Sequence, residues 1–294
     1  MKAGMAEPEI TQVAYWNGEA GERWARHQQS LDAVFAPLTE ALFAGADIQP
    51  RATILDIGCG AGDTAIAAAR RAGPGGRVVA ADVSAPLLAA ARGRAASEAA
   101  DAAPITWIEA DAQVHDFGNA GFAQAISRFG VMFFEDSVAA FANIRRALVP
   151  GGRFTVLCWR PLDANAWIAV PRAIVLPLVP EPEPMAPGGP GPFRFADPEA
   201  FREILAAVGF REIGIEPVDR ALTLGRSDKG SAREAAAAAA ELVLELGPVS
   251  RLVREQSDAV RAAARAAVAE DFAARAEGGS VSLGAACWLV SAWV

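Results

Sequence analysis

The most constraining feature of the sequence is a short apolar strand that runs directly into three glycines at alternate positions. The strand spans residues 52–57, Gly58, Gly60 and Gly62 follow it, and a helical pattern occupies 61–72. Glycine permits a sharp turn and lets the backbone approach a ligand closely, because no Cβ is in the way. The helix adds free N–H groups and positive dipole character at its N-terminus. This unit predicts an α/β fold with a ligand at the loop.

The rest of the chain continues the alternation of strands and helices. Helical patterns also occupy 10–46, before the first strand, and 231–276, before the last. Repeated β-α-β units of this length predict a parallel sheet with helices on both faces. The further strands are predicted at 77–81, 105–108, 122–127, 153–159, 211–218 and 281–294.

The composition excludes several classes of protein. The chain has 294 residues, 52% of them hydrophobic, and a net charge of -8. It therefore has ample material for a core and is a poor binder of polyanions such as nucleic acid. Three dispersed cysteines and two histidines argue against a disulfide framework or a metal site. No segment reaches about 18 consecutive apolar residues, so we expect no stable membrane insertion and a cytoplasmic location.

Two carboxylates around the glycines disfavour a ligand that carries phosphate. Asp63 stands where a dinucleotide-binding loop has its third glycine, and Asp56 lies just before the loop. A carboxylate near a pyrophosphate costs about 1–4 kcal/mol. S-adenosylmethionine fits better, because it has an ammonium and a sulfonium but no phosphate. An NAD-linked oxidoreductase is correspondingly disfavoured.

Two more acids end the next two predicted strands. Asp82 follows the second strand, where a carboxylate accepts hydrogen bonds from both hydroxyls of an adenosine ribose. Asp111 follows the third strand. There it either accepts the adenine amino group, with the N–H of Ala112 facing a ring nitrogen, or serves as an ordinary turn acid. Together with the glycine loop, these positions favour an adenosine-containing cofactor.

These motifs resemble those of class I S-adenosylmethionine-dependent methyltransferases, in particular the bacterial small-molecule branch related to ubiquinone and menaquinone C-methyltransferases. The resemblance implies a Rossmann-like, doubly wound sheet of seven strands, with the last strand antiparallel beside the sixth. The matching stretches are 55–62, 79–84, 109–112, 125–134 and 145–154.

The same resemblance implies how the chain is organised. Residues 1–48 would form an N-terminal helical cap and 49–230 a cofactor-binding α/β core. A helical insertion would occupy 231–278, and 279–294 would complete the sheet. The core contains a segment at 177–192 with seven prolines. That segment is either a surface linker or an ordered flap over the site, since it is expected to follow a strand whose carboxyl end faces the ligand.

By position, the resemblance assigns the methionine half of the cofactor to the first strand and its loop. Gly58, Gly60 and Gly62 would contact this half, with Asp56 nearby through water. The backbone carbonyl of Ser127, at the end of the fourth strand, would accept a hydrogen bond from the methionine ammonium.

The adenosine half is assigned to the next two strands. Asp82 would hold the ribose and Val83 would pack on the adenine, while Asp111 and Ala112 would bind the edge of the base. Arg128, which follows the fourth strand, leaves two alternatives open. It either points to a carboxylate of the cofactor or acceptor, or forms a structural ion pair.

An apolar acceptor pocket is expected beside the loop. The aromatic residues available to line it favour a small neutral or apolar acceptor, such as a quinone precursor, phenol or heteroaromatic compound. O-, N- and C-methylation stay open. The candidate lining residues are Tyr15, Trp16, Trp24, Phe129, Met132, Phe133, Phe134, Trp159 and Trp167.

Methyl transfer is an in-line displacement in which alignment supplies about 7–11 kcal/mol. A base is needed only where the acceptor must first lose a proton. His115 is either that base or an exposed loop histidine, whereas His27 is expected to be structural; Tyr15 and Asp116 are weaker candidates. The resemblance thus implies an enzyme that converts S-adenosylmethionine to S-adenosylhomocysteine. The alternative is a non-catalytic cofactor-binding regulatory or scaffolding module.

Overall fold

The computed structural model describes residues 11–95, 101–182 and 188–294. Its centre is a seven-stranded sheet with the order β3-β2-β1-β4-β5-β7-β6. The first five strands pair in parallel, and β7 lies antiparallel between β5 and β6. This arrangement confirms the predicted fold. The strands are β1 (Thr53–Ile57), β2 (Arg77–Asp82), β3 (Ile105–Glu109), β4 (Phe122–Arg128), β5 (Leu148–Trp159), β6 (Arg211–Arg226) and β7 (Ser280–Trp293).

Helices surround this sheet. They are α1 (Gln12–Asn17), α2 (Glu19–Arg26), α3 (Gln28–Ala46), α4 (Asp63–Ala72), α5 (Ala85–Ala95), α6 (Ser137–Ala147), α7 (Ala166–Val175), α8 (Pro198–Ala207), α9 (Ala232–Glu245), α10 (Ser250–Val253) and α11 (Asp258–Arg275). Several begin at a side-chain cap. Asp136 accepts from the N–H of Ala139 at the start of α6, and Asp197 accepts from the N–H of Glu199 in α8. These caps satisfy otherwise unpaired helix donors.

Three segments differ from the prediction. The N-terminal helical stretch is three helices, interrupted at Gly18 and His27. Strand β5 begins at Leu148 instead of 153, so Pro150-Gly151-Gly152 lies within the strand, and its pairing with β4 shifts register there. The proline-rich segment does not follow a strand, because α7 comes between β5 and it.

The insertion before the last strand rests on an extended β6–β7 hairpin. Strand β6 continues to Arg226, beyond its predicted end at 218. Its partner α9 packs closely there, since a Cβ at Gly225 would come within 2.2 Å of the Ala235 carbonyl oxygen. The alanine-rich face of α9 makes this approach possible, and Ala239 on that face is fully buried. The hairpin therefore fixes the insertion, and with it α10, beside the sheet.

Within the described ranges, none of the helices combines the length and apolar character needed to cross a membrane. Those ranges also contain no group of three or more His, Cys, Asp or Glu side chains placed to hold a metal ion.

Candidate functional site

One large cavity of about 1140 Å³ lies at the carboxyl ends of the parallel strands. Its floor includes the glycine loop after β1 and the connections after β2, β3 and β4. Its cover comes from α1, α2 and α7, from the described ends of the proline-rich segment, and from the insertion around α10. The predicted site residues that line it are Tyr15, Trp16, Trp24, Gly58, Gly60, Asp82, Val83, Asp111, Ala112, Phe129, Met132, Phe133, Phe134, Trp159 and Trp167.

The three glycines of the loop serve different purposes. All have positive φ, but a Cβ at Gly58 would come within 2.6 Å of the Gly130 Cα, and one at Gly62 within 2.8 Å of the Trp107 ring. These two glycines permit close packing of the protein on itself, and Gly62 does not line the cavity. A Cβ at Gly60 would meet nothing within 4 Å. Gly60 thus leaves open the space that a ligand at the loop would use.

Asp82 shapes the glycine loop directly. Its Oδ2 accepts from the N–H of Gly60 at 2.7 Å, and its Oδ1 accepts from the N–H of Ser84 at 2.9 Å. Burial raises the pKa of Asp82, although these backbone hydrogen bonds oppose the rise. The carboxylate therefore connects the end of β2 to the loop after β1 and lines the cavity between them.

Two buried polar atoms beneath the loop have no hydrogen-bond partner among the described residues: Asp56 Oδ1 and Ser127 Oγ. Both residues are fully buried and neither lines the cavity. The other oxygen of Asp56, Oδ2, accepts from the Thr64 hydroxyl at 2.6 Å. Burial raises the pKa of Asp56 to about 7. An unpaired buried acceptor next to an open loop fits a ligand with cationic groups.

Stability should fall with rising pH because of Asp56. The unfolded side chain titrates near pH 4, and the folded one at a pKa of about 7. Between these values the folded state keeps a proton that the unfolded state has lost, so the free energy of unfolding decreases and then levels off. The Asp56→Asn variant has no ionisable group at this position. We therefore expect its free energy of unfolding, compared with that of the wild type at the same pH, to increase by up to about 4 kcal/mol between the two pKa values.

Urea unfolding of both ligand-free proteins from pH 4.5 to 8 measures this difference. Acids that do not interact with Asp56 titrate alike in both proteins, so the difference reports Asp56 together with its coupling to Asp82 and Asp63. A stability difference that stays constant over the range, or shrinks as pH rises, contradicts the assignment.

The contacts of Arg128 decide between the two alternatives predicted for it. Its Nη1 lies 2.5 Å from Asp63 Oδ2 and also contacts the Thr39 hydroxyl. The guanidinium also lies 5.6 Å from the centre of the Phe35 ring. Arg128 therefore forms a structural ion pair that joins β4, α4 and the cap helix α3. Asp63, the residue that disfavours a pyrophosphate, is the partner in this pair.

A second ion pair beside the loop has no counterpart in the sequence analysis. Arg94 Nη2 lies 2.7 Å from Asp32 Oδ2, and Arg94 Nη1 donates to the Ala61 carbonyl at 2.7 Å. Burial, with the nearby Asp63 carboxylate, raises the pKa of Asp32 to about 6. This pair connects α3 and α5 to the glycine loop. It was not predicted because Asp32 and Arg94 are far apart in the sequence and belong to no motif.

The acid at the end of β3 is partly occupied by its own loop. Asp111 accepts from the backbone N–H of Gln113 at 2.9 Å and from its side-chain amide at 3.1 Å. Asp111 thus forms the turn that one of the two predictions describes. Because Asp111 and Ala112 also line the cavity, the turn does not exclude contact with a ligand.

Two groups of packed aromatic rings also line the cavity, and together we call them the aromatic wall. Trp16 packs edge-to-face on Trp24 at 5.6 Å and on Phe133 at 5.4 Å. Phe129 stacks on Trp159 with ring centres 4.1 Å apart. This combination of apolar rings with a few polar groups is typical of small-molecule sites.

Neither histidine lines the cavity. His115, the predicted base, is half-buried and packs against Phe117 at 4.8 Å. His27 connects α2 to α3, in keeping with a structural role. Sequence placed His115 near the site because it follows Asp111, but the turn that Asp111 makes carries the chain away from the cavity.

The N-terminal helices are fastened to the end of β2. The Asn17 side chain donates to the Val83 carbonyl at 2.7 Å and accepts from the Ala85 N–H at 2.9 Å. The Ser84 hydroxyl donates to the Trp16 carbonyl at 2.7 Å. These bonds hold the end of α1 against the connection that follows Asp82.

Comparison with known proteins gives a consistent result. Residues 54–152 match the family model described as a methyltransferase domain. The chain is 34% identical over 165 residues to a demethylmenaquinone methyltransferase of Thermus thermophilus, covering 53% of this chain and 73% of that protein. It is 29% identical to the nocamycin O-methyltransferase of Saccharothrix syringae, covering 61% of this chain and 66% of that one.

Solved structures share the fold. A phosphoethanolamine N-methyltransferase 2 of Haemonchus contortus, in complex with S-adenosyl-L-methionine, has a TM-score of 0.57 at 16% identity. The alignment covers 98% of this chain and 61% of that one. The same family is indicated by the sheet order, the open space at Gly60 and the sequence match. The chain belongs to the class I S-adenosylmethionine-dependent methyltransferases.

Proposed function

We propose that this methyltransferase moves the methyl group of S-adenosylmethionine onto a small, largely apolar or aromatic acceptor. The observation that carries the proposal is that a single cavity contains both the glycine loop at Gly60 and the aromatic wall at Trp16 and Trp159. Its volume of about 1140 Å³ exceeds the usual range for one drug-sized ligand. The names of the Thermus and Saccharothrix relatives support a small-molecule acceptor.

The cofactor residues follow from the floor of the cavity. Gly60 leaves room for the methionine half, and the unpaired Oδ1 of Asp56 lies buried beneath the loop. Asp82 and Val83 are proposed to hold the ribose and adenine, with Asp111 and Ala112 at the edge of the base. Gly58 and Gly62 shape the loop, and Ser127 contributes its backbone carbonyl.

Methyl transfer from this cofactor requires few catalytic side chains. The bound cofactor supplies a methyl group already activated by a sulfonium. The protein aligns the acceptor with it and excludes water, and the aromatic wall serves both purposes. Because neither histidine lines the cavity, we propose that no histidine acts as a general base. The cytoplasmic location expected from the sequence stays a prediction.

Turnover on defined acceptors tests the proposal. Release of S-adenosylhomocysteine would be measured with small phenols and quinols, a small polar amine, an unstructured peptide and tRNA. Turnover with the aromatic small molecules alone is expected. Cofactor binding without turnover on any acceptor would favour the non-catalytic module, and turnover confined to peptide or tRNA would refute the acceptor class.

The cover of the cavity should close on the cofactor. We expect S-adenosylhomocysteine to increase hydrogen-exchange protection in segment 8–30, and in 177–192 or 231–276 as well. Residues 8–10 and 183–187 of these segments lie outside the described residues. We expect this protection because α1 is hydrogen-bonded to Val83 and Ser84, next to the proposed ribose site. Protection limited to the loops after β1–β4 would mean that these segments do not form a lid.

A further inference from the structure

The segments that cover the cavity carry four arginines that the proposed function does not use. Arg23 lies on α2, Arg172 on α7, Arg251 on α10 and Arg254 at the end of α10, and all four line the cavity. We call these four residues the lid arginines. They come from three separate parts of the chain, so the amphipathic pattern of a single helix does not account for them.

The lid arginines have few carboxylate partners in the part of the chain that the structure describes. Across the described ranges, no carboxylate lies within 4 Å of the guanidinium nitrogens of Arg172, Arg251 or Arg254. Arg23 reaches only Glu19, at 3.9 Å, and that glutamate is 82% exposed. The Nη2 of Arg23 is buried without a hydrogen-bond partner. Arg251 is exposed and the other three are half-buried, so an anionic ligand in the cavity can reach the group. Leaving the buried Nη2 of Arg23 without a partner is costly, which favours an acceptor oxygen at this position.

The carboxylates of the cavity lie mainly on its opposite side or are already engaged. Asp32 and Asp63 pair with Arg94 and Arg128, as described above. The acidic lining residues that form no ion pair within 4 Å are Asp82, Asp111, Glu135, Glu181 and Glu245. Only the last two belong to the covering segments. Cations therefore outnumber acids by four to two on the cover.

Tyr15 responds to this positive potential. It is the single tyrosine of the chain and lines the cavity, with the Arg251 guanidinium 4.8 Å from its ring centre. Burial raises the pKa of Tyr15, but the charges and hydrogen bonds of Arg251 and Arg254 outweigh burial, so the net pKa is lowered. This corner of the cavity thus stabilises a negative charge on oxygen.

We propose that Tyr15, Arg251 and Arg254, together with Arg23 and Arg172, form a subsite that binds an acidic oxygen group of the acceptor as its anion. The inference rests on the proposed function and narrows its substrate class to a planar, largely apolar acceptor that carries a carboxylate or an ionised hydroxyl. Guanidinium groups bind a carboxylate well because their N–H donors match both of its oxygens at once, and they also donate charge-assisted hydrogen bonds to the single oxygen of an ionised hydroxyl.

The neighbourhood of the subsite fits an acceptor of this kind. Tyr15 packs edge-to-face on Trp16 with ring centres 5.3 Å apart, and Trp16 packs on Phe133 at 5.4 Å. The polar corner is therefore continuous with the aromatic wall. A flat apolar body would lie along the wall while its acidic group reaches the arginines.

Binding of a charged probe and its neutral isostere tests the proposal. 2-Naphthoate and 2-naphthamide have nearly the same shape and differ in charge. With the full chain saturated with S-adenosylhomocysteine at pH 7.5, calorimetry should show at least about tenfold tighter binding of the naphthoate, as a charge-assisted hydrogen bond would give. The double variant Arg251→Met/Arg254→Met should reduce this preference below about twofold. Arg233→Met, an exposed arginine on α9 outside the cavity lining, should retain it.

A second readout depends on no probe. Ultraviolet titration of Tyr15 should give a higher pKa in the double variant than in the wild type and in Arg233→Met. Equal binding of the two probes, binding of neither, a preference that survives the double variant, or an unchanged Tyr15 titration would each overturn the subsite. Failure of the wild type to bind S-adenosylhomocysteine would instead overturn the proposed function.

Discussion

Replacing Gly60 with valine is expected to abolish S-adenosylhomocysteine binding while the protein stays folded. Gly60 has φ +53°, and a Cβ there meets no protein atom within 4 Å. A valine side chain would therefore occupy the space left for the cofactor instead of clashing with the protein. The strain of a β-branched residue at positive φ costs about 1–2 kcal/mol, which a chain of this size tolerates. Calorimetry should detect no binding at concentrations that saturate the wild type.

Gly118→Val is the matched control. Gly118 also has positive φ, +80°, and open space around a Cβ, but it lies in an exposed loop outside the cavity lining. It should lose similar stability and keep its affinity. Normal cofactor binding by Gly60→Val would mean that the glycine loop has only a structural role.

Asp82→Ala should weaken S-adenosylhomocysteine binding by about 2–4 kcal/mol. The substitution removes a charged acceptor proposed to bind two ribose hydroxyls. It also removes the hydrogen bond that Gly60 donates at 2.7 Å, which orders the loop. Asp116→Ala, an 81% exposed acid outside the cavity lining, is the control and should bind normally.

The two contributions of Asp82 separate with an analogue that lacks both ribose hydroxyls. If the carboxylate binds the ribose, the substitution should weaken binding of S-adenosylhomocysteine more than binding of the analogue. Equal losses for the two ligands would assign the whole effect to the loop. Unchanged affinity for S-adenosylhomocysteine itself would rule out the ribose assignment.

The parts of the site that were predictable are those encoded in consecutive residues. Gly58, Gly60 and Gly62 follow a strand that is buried on both faces, so their position at the ligand edge of the sheet follows from the order of the elements. Asp82 and Asp111 follow from the same rule, because parallel strands end at one edge. The three glycines share one pattern, but their separate roles depend on what lies opposite each Cβ, and this is set by tertiary packing.

Contacts between distant segments were not predictable in the same way. Arg251 and Arg254 meet Tyr15 because an extended hairpin holds the insertion beside the cavity. Strand β6 was expected to end at residue 218, just after Pro217. Proline is allowed there because β6 is an edge strand paired only with β7. Helix α7 was missed as well. Its start is fixed by Asn165, whose side chain accepts from the N–H of Ala286, 121 residues away.

Transfer of a deuterated methyl group is the most direct test of the account. The protein would be incubated with methyl-deuterated S-adenosylmethionine and an extract of its host cells containing small molecules, protein and nucleic acid, and each fraction would be analysed by mass spectrometry. We expect the label in an apolar small molecule, and none with Gly60→Val. Label found only in protein or nucleic acid, or no transfer by a protein that binds the cofactor, would contradict the proposed transfer to a small apolar acceptor.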